Sequence, residues 1–138
     1  MTGIVVVSHS PALARAAVDL AMEMVRGEGP PIEIAAGTAD GSTGTDAAAI
    51  SAAIETVTSG EDAPGAVVLC DIGSAVLSAQ MALEFLDPQV AERVILSDAP
   101  LVEGLIGAVV TASAGAGAEA VAEEAGRAVD AKRSQIAS

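Results

Sequence analysis

Short β-branched runs alternate with stretches of helical periodicity along this chain, and that alternation narrows the fold more than any other feature. Residues 3–7 (GIVVV), 32–36 (IEIAA), 66–70 (AVVLC) and 94–96 (VIL) read as strands. The run 66–70 is apolar throughout, as in a strand buried on both faces. Helical patterns fill the gaps. Ser10 followed by Pro11 reads as an N-cap with proline in the first turn. Leu13, Ala17, Leu20 and Met24 then recur at helical spacing, until the glycines and prolines of 27–31 stop the helix. Thr45 or a neighbour caps a second helix with the face Ile50, Ala53, Ile54 and Val57. Leu77, Met81 and Phe85 mark the face of a third, which ends at Asp87-Pro88. Pro100 opens a fourth, carrying Val102, Leu105, Ile106 and Val109. After a break at 115–117, a last helix carries Ala118, Val121, Ala122, Ala125 and Val129. It closes on Lys132 and Arg133, where cations suit the negative end of a helix dipole.

Strand–helix alternation of this kind means an α/β domain with a parallel sheet, right-handed crossovers and helices on both faces, a three-layer sandwich. The length, 138 residues, holds one core of ordinary size and not two. The expected domain is 1–133, with 134–138 as a short tail.

Charge and composition exclude several classes. Six basic residues against 19 acidic ones leave a net charge of −13, which disfavours nucleic acid and anionic membrane as partners. One cysteine permits no internal disulfide, and Cys70, preceded by apolar residues, reads as a small core residue. The first apolar run is too short for a signal peptide, and no window is long enough for a membrane span, so a cytoplasmic location is expected. Without Trp or Tyr, stacking on bases or sugar rings is an unsuitable binding mode.

In parallel sheets, ligands bind beyond the carboxyl ends of the strands, where the strand order reverses. Those ends here are Ser8-His9-Ser10, Gly37-Thr38, Asp71-Ile72-Gly73-Ser74 and Ser97-Asp98. If the first and third strands are neighbours, His9 and Asp71 emerge side by side. An aspartate that accepts from one ring nitrogen fixes the tautomer and frees the other nitrogen as a nucleophile. Helix N-termini after Ser10 and at Gly73-Ser74 favour anions. The pattern points to a histidine that accepts a phosphoryl group. Asp71 has a second reading, as a helix N-cap.

Other motifs fail on context. Residues 115–120 (GAGAEA) match a dinucleotide pattern but follow a helix, not a strand. The loop 37–44 is glycine-rich but has no Gly-Lys-Ser/Thr ending, so it is no Walker loop. A phospho-aspartate receiver needs an acidic cluster after strand one and a later lysine, and the chain has neither in place. One His among scattered acids has no metal-ligand spacing, so no metal is expected.

Val6-Val7-Ser8-His9-Ser10, Gly44-Thr45-Asp46, Asp71-Ile72-Gly73-Ser74-Ala75 and Ala99-Pro100-Leu101-Val102-Glu103-Gly104 occur in that order. This set resembles the mannose-type IIA domains of the sugar phosphotransferase system. Within them it resembles the DhaM subunits of phosphoenolpyruvate-dependent dihydroxyacetone kinases. The resemblance covers nearly the whole chain and implies a four-stranded sheet in 2-1-3-4 order, commonly in a homodimer. It implies that His9 is the transiently phosphorylated residue and Asp71 its orienting neighbour. Ser10, Gly73 and Ser74, with Thr38 and Thr45 at the border, would bind phosphoryl oxygens. It further implies a phosphotransferase that takes phosphate from HPr and passes it to ADP on DhaL, which serves DhaK, with no cofactor of its own. The alternatives are a IIA component of a sugar transporter and a non-catalytic regulator that signals by its phosphorylation state.

Overall fold

The computed structural model describes residues 1–138. Its elements are β1 (Gly3–Ser8), α1 (Pro11–Met22), β2 (Ile32–Ala36), α2 (Ala47–Val57), β3 (Ala66–Cys70) and α3 (Gly73–Phe85). They are followed by α4 (Pro88–Ala91), β4 (Val94–Leu96), α5 (Leu101–Ser113), α6 (Ala118–Gly126) and α7 (Ala128–Ala137). The four strands form one parallel sheet in the order β2-β1-β3-β4. Both central strands are buried along their whole length, which explains their apolar runs at 4–7 and 66–70.

Alternation along the strands divides the core in two. Ile4, Val6, Val67 and Leu69 face α1, α5 and α6, and meet Ala14, Leu105, Val109 and Val121. Val5, Val7, Val68 and Cys70 face α2 and α3, and meet Ile50, Ile54, Ala75 and Ala79. Each valine, leucine or isoleucine buried this fully contributes about 1.5–3 kcal/mol. Gly3 lets α2 close on the sheet: a Cβ there would lie 2.5 Å from the Val57 Cβ.

Helix starts follow side-chain chemistry. The Ser10 hydroxyl accepts the Leu13 N–H and caps α1, with Pro11 as its first residue. Asp46, the neighbour of Thr45, caps α2 by accepting the N–H groups of Ala48 and Ala49.

Three expectations need correction. First, α1 buries Ala14, Ala17 and Ala21, while Leu13, Leu20 and Met24 are exposed. Second, α3 buries Ala75, Ala79 and Ala82, and leaves Leu77, Met81 and Phe85 in solvent. In both helices an alanine stripe runs beside a stripe of larger apolar residues, and the buried positions of the inner face are alanines. Third, the last helix is two, α6 and α7, divided at Arg127. Helix α7 buries no residue and includes positions 134–137. It is tied to α5 by Lys132, whose ammonium lies 2.7 Å from Glu103. The short α4 was not legible as a separate element; Asp87 caps it through the Gln89 N–H.

Candidate functional site

The strand order places the reversal point between β1 and β3. From β1 the chain runs outward to β2 on one side, and from β3 to β4 on the other. Register sets Val7 beside Cys70, and the Asp71 N–H continues the ladder by donating to the Val7 carbonyl at 3.1 Å. The residues after β1 and β3 therefore emerge together at the carboxyl edge of the sheet.

Asp71 receives four hydrogen bonds. Its Oδ2 accepts the His9 backbone N–H and the Ser8 hydroxyl, each at 2.9 Å. Its Oδ1 accepts the Ile72 N–H at 2.7 Å and faces His9 Nδ1 at 2.9 Å. Desolvation alone would raise the pKa of this carboxyl. The His9 N–H, the Ile72 N–H, the imidazole and the Ser8 hydroxyl outweigh it and hold the group below its ordinary range. Asp71 is thus an ionised acceptor, and an ionised acceptor requires the proton on Nδ1. It is not the cap of α3, whose N-cap position is Ile72, without a side-chain cap bond.

In the neutral ring a proton on Nδ1 leaves the lone pair on the second nitrogen, Nε2, which points toward Ser74 and shares a hydrogen bond with its hydroxyl. The His9 side chain is 17 % exposed, and that of Asp71 10 %. Gly73 and Ser74 open α3, so their N–H groups have no intrahelical acceptor and lie at the positive end of the helix dipole. A Cβ at Gly73 would meet nothing within 4 Å, so the approach over this turn is open.

The structure brings His9, Asp71 and Ser74 into direct contact. Ser10 uses its hydroxyl to cap α1. The Thr38 hydroxyl is turned into its own loop, donating to Asp40 at 2.5 Å. That bond, with the backbone N–H and side chain of Ser42, pulls the Asp40 carboxyl down to about 2. The Thr45 hydroxyl lies 2.6 Å from that of Ser78. The loop 37–44 is pinned to the site at both ends. The Gly37 N–H donates to the Ser8 carbonyl and the Gly44 N–H to the His9 carbonyl, each at 3.1 Å. Gly37, at φ +74°, has the left-handed backbone that this turn requires.

Cys70 stays in the core beside the site. Burial, and then the Asp71 charge, push its thiol up to about 11, which keeps it protonated and inert. Two residues given no role in the sequence reading belong here, Ser8 and Ser78. The signal for Ser78 was its i+4 spacing from Ser74 on one helix face. For Ser8 it was a hydroxyl at the last strand position, ahead of the histidine. No three His, Cys, Asp or Glu side chains gather as metal ligands. The largest surface cleft, about 670 Å³, lies at the opposite edge of the sheet, lined by Gly65, Arg93 and Gly117. His9 sits outside it, on an open surface.

Fold and site define an α/β domain with a carboxylate-held, half-buried histidine at the switch point of a parallel sheet. The family model described as PTS system fructose IIA component, EIIA-man, matches residues 3–122. A Listeria innocua protein, PEP-dependent dihydroxyacetone kinase 2, phosphoryl donor subunit DhaM, is 41% identical over 90% of this chain and 96% of its own length. Phosphoryl donor subunits DhaM of PEP-dependent dihydroxyacetone kinases from Klebsiella michiganensis and Escherichia coli are 46% and 44% identical over 99% of this chain. The chain spans 29% of the length of each of those two. The crystal structure of a protein of unknown function, EF1359, superposes with a TM-score of 0.74 at 30% identity, over 91% of this chain and 94% of that one. The chain belongs to the EIIA-man family, and within it to the DhaM phosphoryl donor subunits.

Proposed function

We propose that this chain is a phosphohistidine carrier that takes a phosphoryl group from HPr onto His9 and delivers it to ADP bound on DhaL, in a kinase acting on dihydroxyacetone held by DhaK. The observation that carries the reading is the His9 ring: Asp71 holds Nδ1, and Nε2 faces outward beside the first turn of α3. The names of the relatives support the substrate and the partners.

The chemistry follows from the ring. The Nε2 lone pair attacks the donor's phosphorus, a P–N bond forms, and the bond from phosphorus to the donor breaks. Positive charge develops on the imidazole while Nδ1 keeps its proton, and the Asp71 carboxylate faces that charge. The Ser74 hydroxyl turns from Nε2 to a phosphoryl oxygen, and the N–H groups of Gly73 and Ser74 meet the remaining negative charge. In the second step a terminal phosphate oxygen of ADP attacks phosphorus, the P–Nε2 bond breaks, and the ring returns to its starting tautomer. Positioning and charge stabilisation carry both steps, and neither asks this chain for a metal or a cofactor. On this reading the subunit is a phosphotransferase. Its carrier unit is residues 1–133, and the helix that continues beyond it buries no side chain.

An open surface around His9 suits transfer between proteins, since both donor and acceptor must come to the ring. The exposed stripe of Leu77, Met81 and Phe85 continues from Ser74 down α3 and offers such partners an apolar footing. Incubation with phosphoenolpyruvate, enzyme I and HPr tests the first step. The wild-type chain takes up one phosphoryl group, and folded His9→Ala takes up none. Equal uptake by the variant would remove His9 from the reaction.

A further inference from the structure

Ser8 is the last residue of β1 and has no exposed surface. Its hydroxyl stands between two parts of the site. It accepts the Ser10 N–H at 3.0 Å, and it reaches Asp71 Oδ2 at 2.9 Å and the Ser10 carbonyl at 3.1 Å. A hydroxyl has one proton, and an ionised carboxylate is the stronger acceptor, so the proton goes to Asp71.

We infer that Ser8 is a positioning residue for His9, acting through Asp71: its hydroxyl fixes the carboxylate plane so that Oδ1 holds Nδ1 and Nε2 is presented to the phosphoryl group. The inference rests on the carrier reading of His9 for its kinetic consequence only; the orientation of the ring is a property of the free protein. A carboxylate turns about its Cβ–Cγ bond more freely with each donor its oxygens lose. Here Oδ2 is held by the His9 N–H and by Ser8, and Oδ1 by the Ile72 N–H and by the imidazole. Two of these donors are backbone and one is the nucleophile's own ring. Ser8 is the remaining one, and the only one that a substitution can remove while leaving His9 intact. Because Ser8 is fully buried, water cannot take the place of its hydroxyl. Loss of that hydroxyl leaves Oδ2 with a single donor and the ring with a less defined partner.

The test uses the full chain as wild type, Ser8→Ala, Ser8→Cys and Ser8→Thr, with three readouts. These are melting temperature, the His9 ring tautomer by imidazole NMR of isotope-labelled protein, and the rate of phosphoryl uptake from phosphorylated HPr. The wild-type ring is expected as one tautomer, protonated at Nδ1. In Ser8→Ala the tautomers mix and uptake falls by roughly 10- to 100-fold, the scale of a displaced reacting group. Ser8→Cys fills the space with a weak donor and behaves as the alanine variant does, so it decides the matter if Ser8→Ala does not fold. Ser8→Thr keeps the hydroxyl and restores both tautomer and rate, which a merely structural contact does not require. A folded Ser8→Ala or Ser8→Cys with wild-type tautomer and rate overturns the inference. So does a folded Ser8→Thr that matches Ser8→Ala. If wild type itself takes no phosphoryl group from a competent donor, the carrier reading fails, and the tautomer comparison still decides the role of Ser8.

Discussion

Asp71 is held in place by donors from three neighbouring residues, so its replacement separates chemistry from folding. Asp71→Ala leaves His9 in place but frees the ring to turn. Uptake of the phosphoryl group is expected to slow by roughly 10²-fold without stopping; unchanged rates would take Asp71 out of the mechanism. The same carboxylate links stability to acid. Its folded-state pKa lies below that of the unfolded chain, so its contribution is complete at neutral pH. That contribution is lost as pH falls from the ordinary aspartate value, about 3.9, through the lower folded one. Urea unfolding of wild type at falling pH should show this loss, and Asp71→Asn should show a shallower dependence. Identical slopes would contradict the hydrogen-bond count. Of the site, His9 and Asp71 were legible because strand ends and strand order bring them together. The directions of the Thr38 and Thr45 hydroxyls were not. Which way a loop hydroxyl turns depends on Asp40 and Ser78, partners that residue spacing does not reveal.

At the scale of elements, the four strands were legible because β-branched runs between glycines and prolines have few alternatives. The inner faces of α1 and α3 were not. Alanine and leucine stripes have the same period, and periodicity alone cannot decide which stripe faces the sheet. The structure gives the inner face to Ala75, Ala79 and Ala82, and this leaves Leu77 and Met81 available to a partner. Leu77→Asp combined with Met81→Asp is therefore expected to leave the melting temperature nearly unchanged, since both residues are exposed. Transfer from HPr should fall at least about tenfold, a loss of roughly 1.4 kcal/mol in transition-state stabilisation. A drop in melting temperature of many degrees would show instead that the stripe is structural.

The whole molecule carries a net charge of −13, and its lysine and arginine ion pairs lie on or between α5, α6 and α7. Such a field draws a positively charged docking face and is screened by salt. The uptake rate should therefore fall, by roughly tenfold or more, as ionic strength rises from low to physiological; a rate indifferent to salt would contradict electrostatic docking. No helix is long and apolar enough to cross a membrane. The sheet order sets β1 beside β3 and so places His9 beside Asp71; fold and site stand on one topological fact.

The relay itself is tested most directly by intact-mass spectrometry. The chain is first charged by phosphoenolpyruvate, enzyme I and HPr, and then mixed with DhaL carrying ADP. The account predicts a single acid-labile phosphoryl adduct that maps to His9 and disappears once DhaL with ADP is added. An adduct on another residue, or none with a competent donor, would contradict the assignment of His9. An adduct on His9 that persists with DhaL and ADP but discharges to a transporter IIB domain would contradict the kinase relay.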